Sequence, residues 1–316
     1  WSLREECSGS FDQFQQDYPF DDVSAFLKSG RGVFPTEGVQ WQRQHALKTP
    51  SVTGLISEQN GRVSFIPEQE SEAVWRRWEE PRINRAYLVS VDNMTGAEQA
   101  GGKDPDSHGV KVIRKGYLDH LGVWHRPAVV MTLMLYEHEG RKVNWFNIDV
   151  LADMVHLASR LYGNCIIIPE DNNDKGLIEL LKNKKAHLFK RPKFNKRTNE
   201  TTDVYGWHTD KLTRGMMLTN LVKMVREAPK ARTTQGIEVN CLDTIREMDS
   251  FVRKESGREE AAQGAHDDQV ISLAIGAQNL DYATTYIEPR SVESLPPELR
   301  KFLGDRKRGK GGEFSV

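Results

Sequence analysis

From Ile83 onward the chain breaks into short apolar runs whose period alternates between that of a strand and that of a helix. AYLVSV, VKVI and AVVMTLML are β-rich runs bounded by turn-forming residues, and they predict three strands. The charged EHEGRK that follows predicts a loop. IDVLADMVHLASRLYG has apolar residues at helical spacing and ends at Gly163, a natural C-terminal stop, and CIII after it predicts a short buried strand. LIELLKN, TRGMMLTNLVKMVREA, CLDTIREMDSFV and HDDQVISLAIGAQ predict four further helices. Strands gathered first and helices alternating later imply a mixed α/β sheet with helices on its faces.

Before Ile83 the pattern is different. FDQFQQDYPFDDVSAFLKSGRGVFP predicts a small helical element stopped by glycines and a proline, and a polar stretch with a turn at Asn60-Gly61 runs on to about Glu80. Residues 1–80 are expected as a linker, 81–290 as the main domain, and 291–316, rich in glycine and charge, as a flexible basic tail.

Composition narrows the function classes. With 316 residues and 38% hydrophobic residues the chain can bury an ordinary core. It has no apolar run of the ~18 residues needed to span a bilayer, and WSLREECSGS lacks the features of a signal peptide, so no membrane association is expected. Cys7, Cys165 and Cys241 are odd in number and far apart, which suggests neither a disulfide framework nor a zinc site. The formal net charge of −1 excludes a uniformly basic surface, so phosphate contacts would have to come from local patches. One such patch holds Lys182, Lys184, Lys185, Lys190, Arg191, Lys193, Lys196 and Arg197 with Phe189 and Phe194 interleaved; Arg306 to Lys310 form another. A solvated helix end followed by a loop explains the first patch equally well.

Three acidic clusters carry the chemistry. Asp92 ends AYLVSV, Glu170-Asp171 follow CIIIP, and Asp267-Asp268 open the last helix. If the two strands are neighbours and the helix crosses them, the carboxylates converge at one sheet edge, as in sites that hold two Mg²⁺ or Mn²⁺ ions for phosphodiester hydrolysis. Turn formation explains Asp92 taken alone, and capping explains either of the other clusters. Capping does not explain why Asp267 leads the face of Val270, Ile271 and Ala274, and Asp268 that of Ile271 and Ile275, where a buried charge needs a partner. A phosphate-binding loop for ATP is missing: the nearest segment, AEQAGGKD, has Ala97 and Asp104 where a glycine and a hydroxyl are needed.

YLVSVDNMTG, IIIPEDNNDKG, YGWHTDKLTRG and EEAAQGAHDDQVISLAIGAQ occur in the order seen in the nuclease domain of the large terminase subunit of tailed bacteriophages, and roughly Ile83 to Leu280 resembles that family. DYPFDDVSAFLKSGRGVF is similar to the segment joining the family's ATPase to its nuclease, which makes residues 1–80 a linker after an ATPase domain outside this sequence. The resemblance implies a ribonuclease H-like fold and a Mg²⁺- or Mn²⁺-dependent endonuclease that cuts concatemeric double-stranded DNA with little sequence specificity during genome packaging. It implies Asp92, Glu170 and one or both of Asp267 and Asp268 as metal ligands. Asp171 is an extra acid beside the family's second motif and a further candidate ligand; Glu98 is a candidate accessory carboxylate. Lys190, Arg191, Lys193, Lys196, Arg197, His208, Thr209 and Arg214 are the candidate DNA-binding residues, while Trp207 suits either the DNA-facing side or the core. The implied partners are the small terminase subunit and the portal protein, and the implied location is the host cytoplasm. Two alternatives keep the residues and change the role: a Holliday-junction resolvase-like nuclease, or a non-catalytic module that docks on DNA or a portal.

Overall fold

The computed structural model describes residues 31–94, 107–138, 141–144, 146–172, 175–195, 199–230, 234–254, 257–262 and 265–287. The expected helical element before residue 31, the tail 291–316, Glu98, Lys196 and Arg197 lie outside the described residues.

The three apolar runs form β4 (Ala86–Asp92), β5 (Gly109–Arg114) and β6 (Ala128–Leu133), and CIIIP supplies β7 (Ile166–Pro169). β7 runs parallel to β4; β5 is antiparallel to both β4 and β6. Helices cover both faces. α2 (Ile148–Leu161) and α3 (Gly176–Asn183) pack with Tyr87, Val89, Val91, Val110 and Val112. On the other side α1 (Thr36–Lys48), α4 (Lys211–Glu227), α5 (Leu242–Ser250) and α6 (Asp268–Gln278) pack with Leu88, Ile113, Val129, Ile166 and Ile168. Burial on both faces is why these strands read as continuous apolar runs. The fold is a mixed α/β sheet with helices on both faces.

The stretch expected as a linker is built differently. β1 (Val52–Gln59), β2 (Arg62–Pro67) and β3 (Trp75–Arg77) extend the sheet in the order β7-β4-β5-β6-β3-β1-β2. Asn60 (φ 52°) and Gly61 (φ 81°) make the two-residue turn between β1 and β2, both in the left-handed region that such a hairpin needs. The turn was legible, but the flanking strands were not. β2 has no buried residue and β1 only one, so their composition is that of a solvated edge. α1 is tied in by Gln42, whose Nε2 donates to the Ile237 carbonyl at 2.7 Å while its Oε1 accepts from the Val239 amide at 2.8 Å.

Two further antiparallel strand pairs lie in stretches expected as loops. EHEGRK contributes to the paired segments Tyr136–His138 and Arg141–Val143. The basic stretch after α3 forms β8 (Lys190–Asn195), antiparallel to β9 (Glu200–Tyr205). A two-residue strand β10 (Thr284–Thr285) pairs with the start of β4. No helix among the described residues is long and apolar enough to cross a membrane.

Candidate active site

Asp92 is the last residue of β4, and its partner in the neighbouring strand is Gly109. Glu170 follows β7 directly, and its amide donates to the Val91 carbonyl at 2.9 Å, which places the two acids on adjacent strand ends. Asp268 opens α6 across the same edge, with its Oδ2 accepting from the Ser107 amide at 2.8 Å. The helix comes this near because Gly109 has no side chain: a Cβ there would overlap the Asp268 carbonyl oxygen and stand 2.7 Å from the Ser272 Cβ. Farther along, the Ser272 hydroxyl donates to the Ser90 carbonyl at 3.3 Å, and a Cβ on Gly276 would stand 2.7 Å from the Ser90 hydroxyl oxygen.

All three acids are buried: Asp92 is 3% exposed, Glu170 6% and Asp268 2%. Burial pushes the Asp92 carboxyl well above the usual carboxylate range, and repulsion from Glu170 and then Asp268 pushes the same way. Asp92 Oδ1 has no hydrogen-bond partner among the described residues. No three His, Cys, Asp or Glu side chains among the described residues form a ready-made metal cage. The arrangement is thus a crowded cluster of carboxylates held by two strand ends and a helix start.

The remaining acids have basic partners. Asp171 ion-pairs with Arg191 and accepts from His208 Nδ1 at 2.7 Å. Asp267 meets Arg214 Nη2 at 2.8 Å. Three of the candidate DNA-binding side chains therefore hold acids that flank the cluster. Arg191 reaches Asp171 from β8, and its Nε also donates to the Gly206 carbonyl at 3.1 Å. Thr209 is fixed through its amide, which donates to Asn172 Oδ1 at 3.0 Å. Trp207 is partly buried against the core beside Phe189. Lys193 is exposed on β8, and Lys190 Nζ lies 5.0 Å from the centre of the Tyr205 ring.

Two residues near the cluster carried no sequence-level assignment. Lys111 lies wholly inside β5; its Nζ donates to Gln269 Oε1 at 2.6 Å and to Thr132 Oγ1 at 2.7 Å. Its signal was a lysine in the middle of an apolar strand. Glu247 of α5 accepts through Oε2 from the amides of Gln269 and Val270 at 2.8 and 3.0 Å. Nothing in IREMDS marks that role, because only the packing of α5 on α6 creates it.

No protein-family model matches the chain, and no curated protein matches it. Solved structures of the large terminase nuclease from thermophilic phage G20c do resemble it. The form with bound magnesium aligns with a TM-score of 0.46 and 16% identity, covering 79% of this chain and 97% of that one. The form with bound cobalt gives the same values, and the form with bound zinc gives a TM-score of 0.39 and 14% identity over 78% and 98%.

Proposed function

We propose that this protein is a metal-dependent DNA endonuclease acting in phage genome packaging, a nuclease of the large terminase type. The observation that carries this reading is the buried meeting of Asp92, Glu170 and Asp268, with one Asp92 oxygen left without a hydrogen-bond partner among the described residues. Burying like charges side by side is unfavourable unless a cation or a proton offsets them. Oxygen-only donors suit hard divalent cations, so the residues fit Mg²⁺ or Mn²⁺. Asp92, Glu170 and Asp268 would hold two such ions, with Asp171 and Asp267 beside them as further acids. Bound there, the ions would supply a nucleophilic water near neutral pH and offset charge on the departing oxygen.

The rest falls to the protein's own groups. Asp92 and Glu170 stand on adjacent, hydrogen-bonded strand ends, which would fix where the reacting phosphate is received. Arg191 and His208 hold Asp171, and Arg214 holds Asp267, so the charge beside the cluster is balanced locally. Exposed Lys193, with Lys190, Lys196 and Arg197, offers phosphate contacts that position DNA without reading bases, consistent with weak sequence selectivity. Arg191, His208, Thr209 and Arg214 would border the bound strand. The small terminase subunit, the portal, an attached ATPase domain and a host-cytoplasmic setting belong to the same proposal through the sequence resemblance.

Double-stranded DNA is the proposed substrate, and a linear duplex compared with a four-way junction in Mn²⁺ tests it. Cleavage of the linear duplex at least as fast as the junction, abolished in Asp92→Ala, is expected. Marked preference for the junction would transfer the site to a resolvase-like nuclease. DNA binding with no cleavage, unchanged in Asp92→Ala, would leave a docking module.

A further inference from the structure

Asp267 is the N-cap residue of α6, where an aspartate ordinarily turns its carboxylate back onto the amides of the first turn. It makes no such bond; its Oδ2 meets Arg214 instead. Asp268 directs its Oδ2 to the Ser107 amide on the sheet side. The amides of Gln269 and Val270, which have no acceptor within the helix, are served from another helix by Glu247 Oε2. A buried carboxylate is an unfavourable cap in this position: burial and then repulsion from Asp268 push the Glu247 carboxyl well above its usual range. Lys111 opposes that repulsion, and its ammonium is itself moored to the Gln269 side chain. A helix whose two leading acids served only as caps would not need a third acid for the purpose.

We infer that Glu247 is a positioning residue for the acidic site: its carboxylate takes over the capping of α6, so that Asp267 can turn to Arg214 while Asp268, bound to the Ser107 amide, is held beside Asp92 and Glu170. The role rests on the nuclease reading. Glutamine at 247 retains an oxygen that can accept from both amides, whereas alanine retains none and aspartate draws the oxygen back by one methylene. The three substitutions therefore separate capping from charge.

Two measurements on the full chain test the inference. In amide hydrogen exchange, Glu247→Ala should speed exchange at Gln269 and Val270 by about tenfold, with Glu247→Gln within about threefold of wild type. In calorimetric titration with Mn²⁺ and no DNA, Glu247→Ala should weaken binding by about tenfold and Glu247→Gln by less than about threefold. Ile245→Ala, a cavity in the same helix, should leave Mn²⁺ affinity unchanged and so exclude general loosening. Wild-type exchange and affinity in Glu247→Ala would overturn the inference, as would a Glu247→Gln protein as impaired as Glu247→Ala. If Glu247→Ala does not fold, Glu247→Asp must show the same two losses, and wild-type values there would overturn it. A wild-type protein that binds no Mn²⁺ would remove the nuclease reading, while the exchange data would still decide whether Glu247 caps the helix.

Discussion

Asp92 sits where protein stability and chemistry oppose each other. Its carboxyl is buried, lacks a partner for one oxygen among the described residues and is crowded by Glu170 and Asp268, so the metal-free fold is strained by the group that the proposed function needs. Asp92→Asn should therefore raise the stability of the EDTA-treated protein by about 1 kcal/mol, a melting shift of roughly 2–4 °C, while abolishing cleavage. A calorimetric melt in EDTA checks this, and a lower melting temperature would contradict it. Burial acts in the same direction on the thiol of Cys165. Burial pushes the Cys165 thiol up to about 12, so it stays protonated and inert at neutral pH. An unfolded thiol ionises near pH 8.5, so the folded state alone keeps its proton between there and about 12, and this group lowers stability as pH rises through that window. Native protein at pH 8 should leave Cys165 unmodified by iodoacetamide, and denatured protein should be modified fully, as peptide mass spectrometry would show. The acids most legible in the sequence were those that end or open apolar runs, because an apolar run locates the sheet edge. Glu247 was illegible because it lies among polar residues of α5 and finds its partners only across a helix contact.

At the scale of elements, the site depends on how closely α6 approaches β4 and β5. Gly109 allows that approach, since a Cβ there would overlap the Asp268 carbonyl. Gly109→Ala should push the helix start away from Asp92, cost about 1–3 kcal/mol of stability, and lower the cleavage rate on the order of 10²-fold with DNA binding unchanged. Gel-shift and plasmid-nicking assays together check this, and unchanged cleavage would show that the helix position does not matter. The glycine gave no warning in the sequence. It precedes VKVI as any turn glycine might, and its contact with Asp268 is long-range. The same limit hid the order of the strands, although β4, β5, β6 and β7 were each legible from burial on both faces. β1 and β2 escaped because an edge hairpin with exposed faces has the composition of a linker. The β8–β9 hairpin escaped because its charges resemble those of a solvated loop.

At the scale of the whole molecule, two helical layers clamp a mixed sheet, and the strand ends β4 and β7 and the start of α6 meet at one edge. With a net charge of −1, the proposed DNA affinity would fall to a few local cations, several of which are engaged with acids beside the cluster. In the proposed function, DNA would be received at this edge and the rate would come from ions held by the carboxylates. Incubation of supercoiled plasmid with the protein in Mn²⁺, Mg²⁺ or EDTA, beside Asp92→Ala and Asp268→Ala, tests this most directly. Nicking and linearisation with a divalent ion, absent in EDTA and in both variants, is the predicted result; cleavage that persists in EDTA or in Asp92→Ala, or no cleavage with either ion, would contradict the account.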